Sequence, residues 1–251
     1  MDVVVTGHKG FIGPHVMERF PDAVGLDIKD GNDILECELP PADVVIHLAA
    51  QPGVIKSVED PANTVRQNIE GTVRLLKHYK DAKFIFASSG GTIQHPIESP
   101  YGMSKWCGEQ FVDMMHDNAV KLRFPNVFGT GSRSVVDKWL NEDFLTIYGD
   151  GETYRIYAHV EDVADAIQKS VDWKPGLYTL GSDQRYSVND IAAAIGKLTT
   201  YAPARDGEIH DDRSQLRNNT PNWEAQYDVM DYIVDVTARK FVDAQRSNTE
   251  S

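Results

Sequence analysis

The stretch Val3-Val4-Val5-Thr6-Gly7-His8-Lys9-Gly10-Phe11-Ile12-Gly13 constrains the fold more than any other part of the chain. A β-branched run without polar alternation reads as a strand buried on both faces, as in a parallel sheet covered by helices. The glycines at 7, 10 and 13 allow, in turn, a tight turn, close backbone approach to a ligand and close helix–strand packing. A helix-like segment to Phe20 follows, so an anion would sit on amides at the helix start. A glycine loop between a strand and a helix points to dinucleotide binding. Ala23-Val24-Gly25-Leu26-Asp27 reads as the second strand, with Asp27 20 residues after Gly7. An acid at that distance suits adenosine ribose hydroxyls and repels a 2′-phosphate, which favours NAD over NADP. Lys9 pulls the other way.

Strand and helix then alternate. Asp43 to Ala50 is a buried strand ending in small residues, with His47 read as a satisfied core residue. Val65, Ile69, Val73 and Leu76 mark one face of a helix over 60–80. Residues 83–87 form a strand, a helix follows from Tyr101, and 120–124 form another strand. The pattern predicts an α/β fold with a doubly wound parallel sheet. The second half is more broken: a short helix over 134–141, extended segments at 144–148 and 154–159, a helix over 161–171 and a strand at 177–180. Ser187 and Asp190 form a capping box opening a helix to Ile195. Residues 203–212 read as polar loop, and a helical region is expected from Pro221 onward.

A formal net charge of −13 argues against nucleic acid and anionic membranes as partners. No apolar stretch approaches the roughly 20 residues needed to span a bilayer, and no leader is visible, so a cytoplasmic protein is expected. The two cysteines, Cys37 and Cys107, stand far apart without metal-ligand neighbours; they read as reduced thiols, and no metal site is expected.

Tyr101 and Lys105 lie one helical turn apart on one face. A phenol titrates near pH ~10, and a nearby ammonium favours the phenolate. Such a Tyr can move a proton on or off a sugar or alcohol hydroxyl. Upstream, Ser88, Ser89 and Thr92 stand at the carboxyl end of the 83–87 strand, where hydroxyls face the ligand crevice of such sheets.

With these motifs in order, the chain resembles the extended short-chain dehydrogenase/reductase family, in its nucleotide-sugar epimerase/dehydratase group. The carriers are Thr6 to Gly13, His47-Leu-Ala-Ala-Gln51, Asn68-Ile-Glu-Gly-Thr72, Ser88-Ser89, Pro100 to Lys105 and Arg123-Phe-Pro-Asn-Val-Phe-Gly129. Tyr148 to Gly151, Arg155, His159 to Val163 and Arg205 to Glu208 continue the series. The resemblance implies a Rossmann-type core with a small C-terminal substrate-binding lobe. Residues 1–126 would bind NAD; 127–251 would mainly form the lobe, interleaved with the core, with 159–180 returning to it. By the same resemblance Tyr101 transfers the proton, Lys105 holds the nicotinamide ribose and lowers the Tyr101 pKa, and Ser89 bonds the reacting oxygen, with Ser88 and Thr92 as alternatives. The implied cofactor set is Gly7, Gly10, Phe11, Ile12, Gly13, Asp27, Asp33, Ile34, Leu48, Ala49, Ala50 and Lys105; Asp33 and Ile34 would meet adenine. Asn126, Arg155 and Arg205 are the implied contacts to a nucleoside-diphosphate sugar, with Ser89. A homodimer through the helix after Tyr101 and the 60–80 helix is implied as well; Trp106 and Met114 could serve it, although both read more readily as core.

The chain departs from the family pattern by a short segment between Ser89 and Tyr101, by a reduced connection between the second and third strands, and by a trimmed C-terminal part. Gly90-Gly91 fills the loop where dehydratases of the group carry an acidic pair and decarboxylases a Glu. The remaining set suits redox-neutral 4-epimerisation through a 4-keto sugar. The alternatives are an NAD(P)H-dependent ketosugar reductase and a non-catalytic NAD-binding protein.

Overall fold

The structure is a computed structural model that describes residues 1–93, 97, 99–182, 184–204 and 217–249. Its first half runs β1 (Val3–Thr6), α1 (Gly13–Arg19), β2 (Val24–Leu26), β3 (Val44–His47), α2 (Val54–Glu59), α3 (Pro61–Val65), α4 (Gly71–His78), β4 (Lys83–Ser89), α5 (Pro100–Met115) and β5 (Ala119–Phe124). The second half runs β6 (Asn126–Phe128), α6 (Val135–Asn141), β7 (Leu145–Tyr148), β8 (Tyr154–His159), α7 (Val160–Ser170), β9 (Gly176–Thr179), β10 (Arg185–Ser187), α8 (Val188–Ile195), β11 (Thr199–Ala202) and α9 (Val229–Thr249).

Six strands form one parallel sheet in the order β2-β1-β3-β4-β5-β9. Successive residues of a strand face opposite sides. Val3 and Val5 therefore enter the core beneath α1 and α7, and Val4 enters the one beneath α4 and α5. Both faces are covered, which is why β1 reads as an unbroken apolar run. Chain direction across the sheet reverses at β1, with β2 on one side and β3 on the other. Ligands of such sheets bind outside the strand ends at that switch point, and the 7–13 loop lies there.

Between β2 and β3 the only helical turn is a 3-10 turn at Ile28–Asp30. The helix expected over 60–80 is interrupted by a π turn at Arg66–Glu70. β9 completes the main sheet, and α7 packs on α1. Residues 217–228 are not helical, contrary to the expectation from Pro221 onward. They are tied down instead: the Trp173 indole donates to Asn222 at 2.8 Å, Thr179 N to Asn219 at 2.6 Å, and Gln226 N and Tyr227 N to the Asp162 carboxylate at 3.1 Å each. Those bonds satisfy the segment outside a helix and cover the β9 edge.

The other pieces build a third core of Phe128, Trp139, Leu145, Ile147, Ile191 and Ile233. Its sheets are small, β10-β8-β6 and β11-β7. Met114 is 70 % exposed, so it is surface and not core: it falls on the outer face of α5. Among the described residues no helix is long and apolar enough to cross a membrane.

Candidate active site

The 7–13 loop is shaped by what its glycines exclude. Gly7 adopts φ +74°, and a Cβ there would sit 2.7 Å from Ala49 N. A Cβ at Gly13 would sit 2.3 Å from the His8 carbonyl oxygen. Any side chain at either position would push loop, β3 end and α1 apart. At Gly10 a Cβ would meet only the loop's own Gly7 oxygen, at 3.0 Å, so that side is open to a ligand. The residues present thus fit a dinucleotide: an open backbone cradle at a helix start, beside small residues at 49 and 50.

Asp27 is buried, accepting from Lys9 N and Lys29 N at 2.9 Å each. The Lys9 ammonium pairs with Asp30, which also takes His8 Nε2 at 3.2 Å. Lys9, the feature that favoured a 2′-phosphate, is therefore neutralised by a carboxylate. Asp33 accepts from Leu35 N at 2.9 Å. The Ile34 side chain is only 4 % exposed and lies against Gly71. With no full helix before β3, the Ile34 side chain is drawn into the core beneath α4, next to the Asp33 carboxylate.

At the carboxyl end of β4 and the start of α5 the candidate catalytic groups converge. Ser99 caps α5 by accepting from Gly102 N at 3.1 Å, with Pro100 in the first turn. Gly108 lets the helix lie directly on β4, since a Cβ there would stand 2.6 Å from Phe86. Tyr101 is part-buried and hydrogen-bonded with Ser89. Ser89 Oγ also accepts from Gly91 N at 3.1 Å. Ser88 and Thr92 turn away: Ser88 donates to Glu109 Oε1 at 2.5 Å, and Thr92 donates to the Ser89 carbonyl at 2.8 Å, with its oxygen 3.3 Å from Glu109 Oε1. Of the three hydroxyls, Ser89 is the one placed beside Tyr101.

Lys105 is buried, donates to the Ala87 carbonyl at 2.9 Å and lies 5.2 Å over the Phe86 ring. Burial lowers its pKa to about 8, against the pull of Glu109. Burial raises the Tyr101 pKa, opposed by the Ser89 bond. The sequence expectation of a lowered value is thus reversed, because desolvation of the phenol outweighs the help it receives.

Glu109 was not found from the sequence. It is 1 % exposed and takes Arg123 Nε and a terminal nitrogen at 2.8 and 2.6 Å in a fork. The available signal was its place one turn after Lys105. Asn68 is also buried here, in the π turn. On the lobe side, Asn126 is exposed and donates to the Ile156 carbonyl at 3.2 Å. Arg155 lies on β8 and contacts the Tyr154 carbonyl at 3.2 Å. Tyr157 shares the Arg155 face of that strand, and its hydroxyl is buried without a partner among the described residues. Arg205 lies outside the described residues. The described His15, Glu18 and Glu161 approach one another, but Arg19 holds Glu161 at 2.8 Å.

Residues 3–181 match the sequence profile of the NAD dependent epimerase/dehydratase family. The chain belongs to that family. It is similar to a Methanocaldococcus jannaschii protein named "Putative UDP-glucose 4-epimerase", 30% identical over 83% of this chain and 88% of that protein. It is also similar to the UDP-glucose 4-epimerase of Mycolicibacterium smegmatis, 28% identical over 87% and 90%. Among solved structures it is similar to the Bacillus cereus UDP-glucuronic acid 4-epimerase in complex with UDP-glucuronic acid and NAD. That match has a TM-score of 0.79 and 25% identity, covering 93% of this chain and 96% of that one. The family explains why the parallel sheet, the glycine loop and the Tyr–Lys helix occur together.

Proposed function

We propose that this family member is an NAD-dependent UDP-sugar 4-epimerase. The observation that carries the reading is the convergence of Ser89, Tyr101 and Lys105 beside an open glycine cradle, with Gly90-Gly91 directly after the strand-end serines. The named epimerases among its relatives support it.

Tyr101 moves the C4 hydroxyl proton, off as the sugar becomes a 4-ketone and back as hydride returns to the opposite face. Ser89 holds the reacting oxygen and the Tyr101 hydroxyl in one line. Lys105, its ammonium fixed by the Ala87 carbonyl, would hold the ribose hydroxyls of the cofactor. NAD would supply hydride acceptance and return, and a positive ring charge that favours the phenolate. Gly7, Gly10, Phe11, Ile12 and Gly13 would cradle its pyrophosphate; Leu48, Ala49 and Ala50 would wall it, and Asp27 and Asp33 would take the adenosine end. Asn126, Arg155 and Arg205 would grip the sugar nucleotide, Arg forks suiting diphosphate oxygens. The lobe formed after residue 127 is the substrate side. Met103 and Met114, 43 % and 70 % exposed on α5, support a homodimer through that helix. A cytoplasmic location follows from the sugar-nucleotide substrate.

The test is to incubate purified protein with UDP-glucose or UDP-galactose and no added coenzyme. Interconversion is expected, and Tyr101→Phe should abolish it while still binding NAD. Unchanged turnover in that variant sinks the mechanism.

A further inference from the structure

A buried line of hydrogen bonds joins the end of β1 to the first turn of α5. Ala49 N donates to Thr6 Oγ1 at 3.3 Å, and Thr6 Oγ1 meets His47 Nδ1 at 2.8 Å. His47 Nε2 meets Thr72 Oγ1 at 2.9 Å, and the Thr72 hydroxyl donates to the Asn68 carbonyl at 2.6 Å. The Asn68 amide donates to Ser104 Oγ at 2.9 Å, and the Ser104 hydroxyl donates to the Tyr101 carbonyl at 2.8 Å. All five linking side chains, Thr6, His47, Thr72, Asn68 and Ser104, are no more than 2 % exposed.

The proton positions along this line follow from counting. A threonine hydroxyl has one hydrogen. The Thr72 hydrogen goes to Asn68, so Thr72 can only accept from His47, and Nε2 carries the imidazole proton. Burial keeps His47 neutral down to about pH 3, so Nδ1 accepts from Thr6. The Thr6 oxygen in turn accepts from Ala49. Asn68 is fixed as well, because its Oδ1 accepts from Gln51 N at 2.7 Å while its amide nitrogen reaches the Gln51 carbonyl at 3.2 Å. Asn68 sits within the π turn at Arg66–Glu70, a local break often found at functional sites.

We propose that His47, Thr72 and Asn68 are positioning residues: they form a strut that sets the distance between the dinucleotide cradle at Gly7 and Ala49 and the helix carrying Tyr101 and Lys105. This deepens the epimerase reading and rests on it. The side chains of the strut act through protein partners: His47 through Thr6 and Thr72, Thr72 through the Asn68 carbonyl, and Asn68 through Ser104. It fixes where the reacting groups stand relative to the cradle, and hydride transfer is steeply sensitive to that spacing.

The test compares Thr72→Val, which keeps the volume and loses the hydroxyl, with Thr72→Ser, which does the opposite. In the full-length protein one measures melting temperature, NAD affinity by fluorescence titration, and kcat and KM for UDP-glucose. Thr72→Val should lower kcat and NAD affinity by about tenfold each, the scale of one buried hydrogen bond left unmade. Its KM should stay within about twofold, since the lobe is untouched. Thr72→Ser should retain near-normal kcat and NAD affinity despite a lower melting temperature. The reverse order, or a Val variant that behaves as wild type, overturns the strut. Nitrogen-15 NMR of the imidazoles, which needs no cofactor, should show the His47 proton on Nε2; a proton on Nδ1 also overturns it. If wild-type protein binds no NAD, the epimerase reading fails, and the NMR result still decides the strut.

Discussion

The sheet half and the lobe hold their polar groups in different ways. Beneath Tyr101 and Lys105, polar side chains from β1, β3, β4, β5 and α5 are buried and joined across the sheet, as in Glu109 with Ser88, Thr92 and Arg123. In the lobe, strands of three to six residues are stitched at their ends by single acids. Asp137 takes Gly129 N at 3.1 Å, Ser134 Oγ at 2.8 Å and Tyr232 Oη at 2.7 Å. The first arrangement ties the Tyr101 and Lys105 helix to the sheet; the second pins the 129–134 loop at one carboxylate. The difference teaches that the two halves are held by different frameworks, so a change in one can be tested without touching the other.

The largest expected contrast is between two glycines. Gly13→Ala forces a Cβ to 2.3 Å from a backbone oxygen. It should destabilise by about 1–3 kcal/mol and weaken NAD binding about 100-fold. Gly131→Ala in the lobe, at φ +87° with nothing within 4 Å of the new Cβ, should cost only about 1 kcal/mol of backbone strain and leave NAD binding intact. Denaturant melts and NAD titration check both; equal losses would erase the distinction between the halves.

Two buried acids sharpen it further. Glu109→Gln breaks the fork to Arg123 and should cost about 3–5 kcal/mol, with kcat falling and the KM for UDP-sugar little changed. Asp137→Asn loosens the Gly129–Ser134 loop at a cost of about 1–3 kcal/mol, and should raise KM more than it lowers kcat. A kcat effect of equal size in both variants would contradict the split.

Much of this arrangement can be read in the chain, for physical reasons that also mark where reading stops. Val3-Val4-Val5 and the glycines at 7, 10 and 13 carry their meaning locally, through side-chain period and missing Cβ atoms. The Tyr101–Lys105 pair is likewise a helical repeat. Glu109 is different: its burial depends on Arg123 arriving from β5, a contact between elements that no local pattern encodes. The sign of the Tyr101 shift is hidden from a local pattern for the same reason, since burial is a property of the assembled crevice. β6, β10 and β11 are too short to show a period. Residues 221–228 hold enough apolar side chains to suggest a helix, yet are claimed by Asp162 and Trp173.

Acid should weaken the sheet half through His47. Unfolded, this imidazole binds a proton below about pH 6.5; folded, it does so only near pH 3. Between those values the unfolded state holds more protons, so stability rises with pH and is lost as pH falls. From pH 6.5 to 5 the loss is about 2 kcal/mol. Melting curves of wild type and His47→Gln over that range should differ in slope by that amount; parallel slopes would mean that His47 takes up a proton freely.

The smallest effect is on the alkaline side. Lys105 loses its proton near pH 8 when folded and near ~10.4 when unfolded. Over that interval the unfolded state again binds more protons, so this residue makes the fold more stable as pH rises. Ribose binding by the ammonium should weaken over the same interval, so NAD affinity falls while the melting temperature contribution grows. Glu109 is the carboxylate that raises the Lys105 pKa. In Glu109→Gln the fall in NAD affinity should therefore begin at lower pH, with a few-fold difference from wild type near pH 8. An unmoved limb would show that Glu109 acts on Arg123 and the two hydroxyls alone, and that the charge on Lys105 is set by burial and the Ala87 carbonyl.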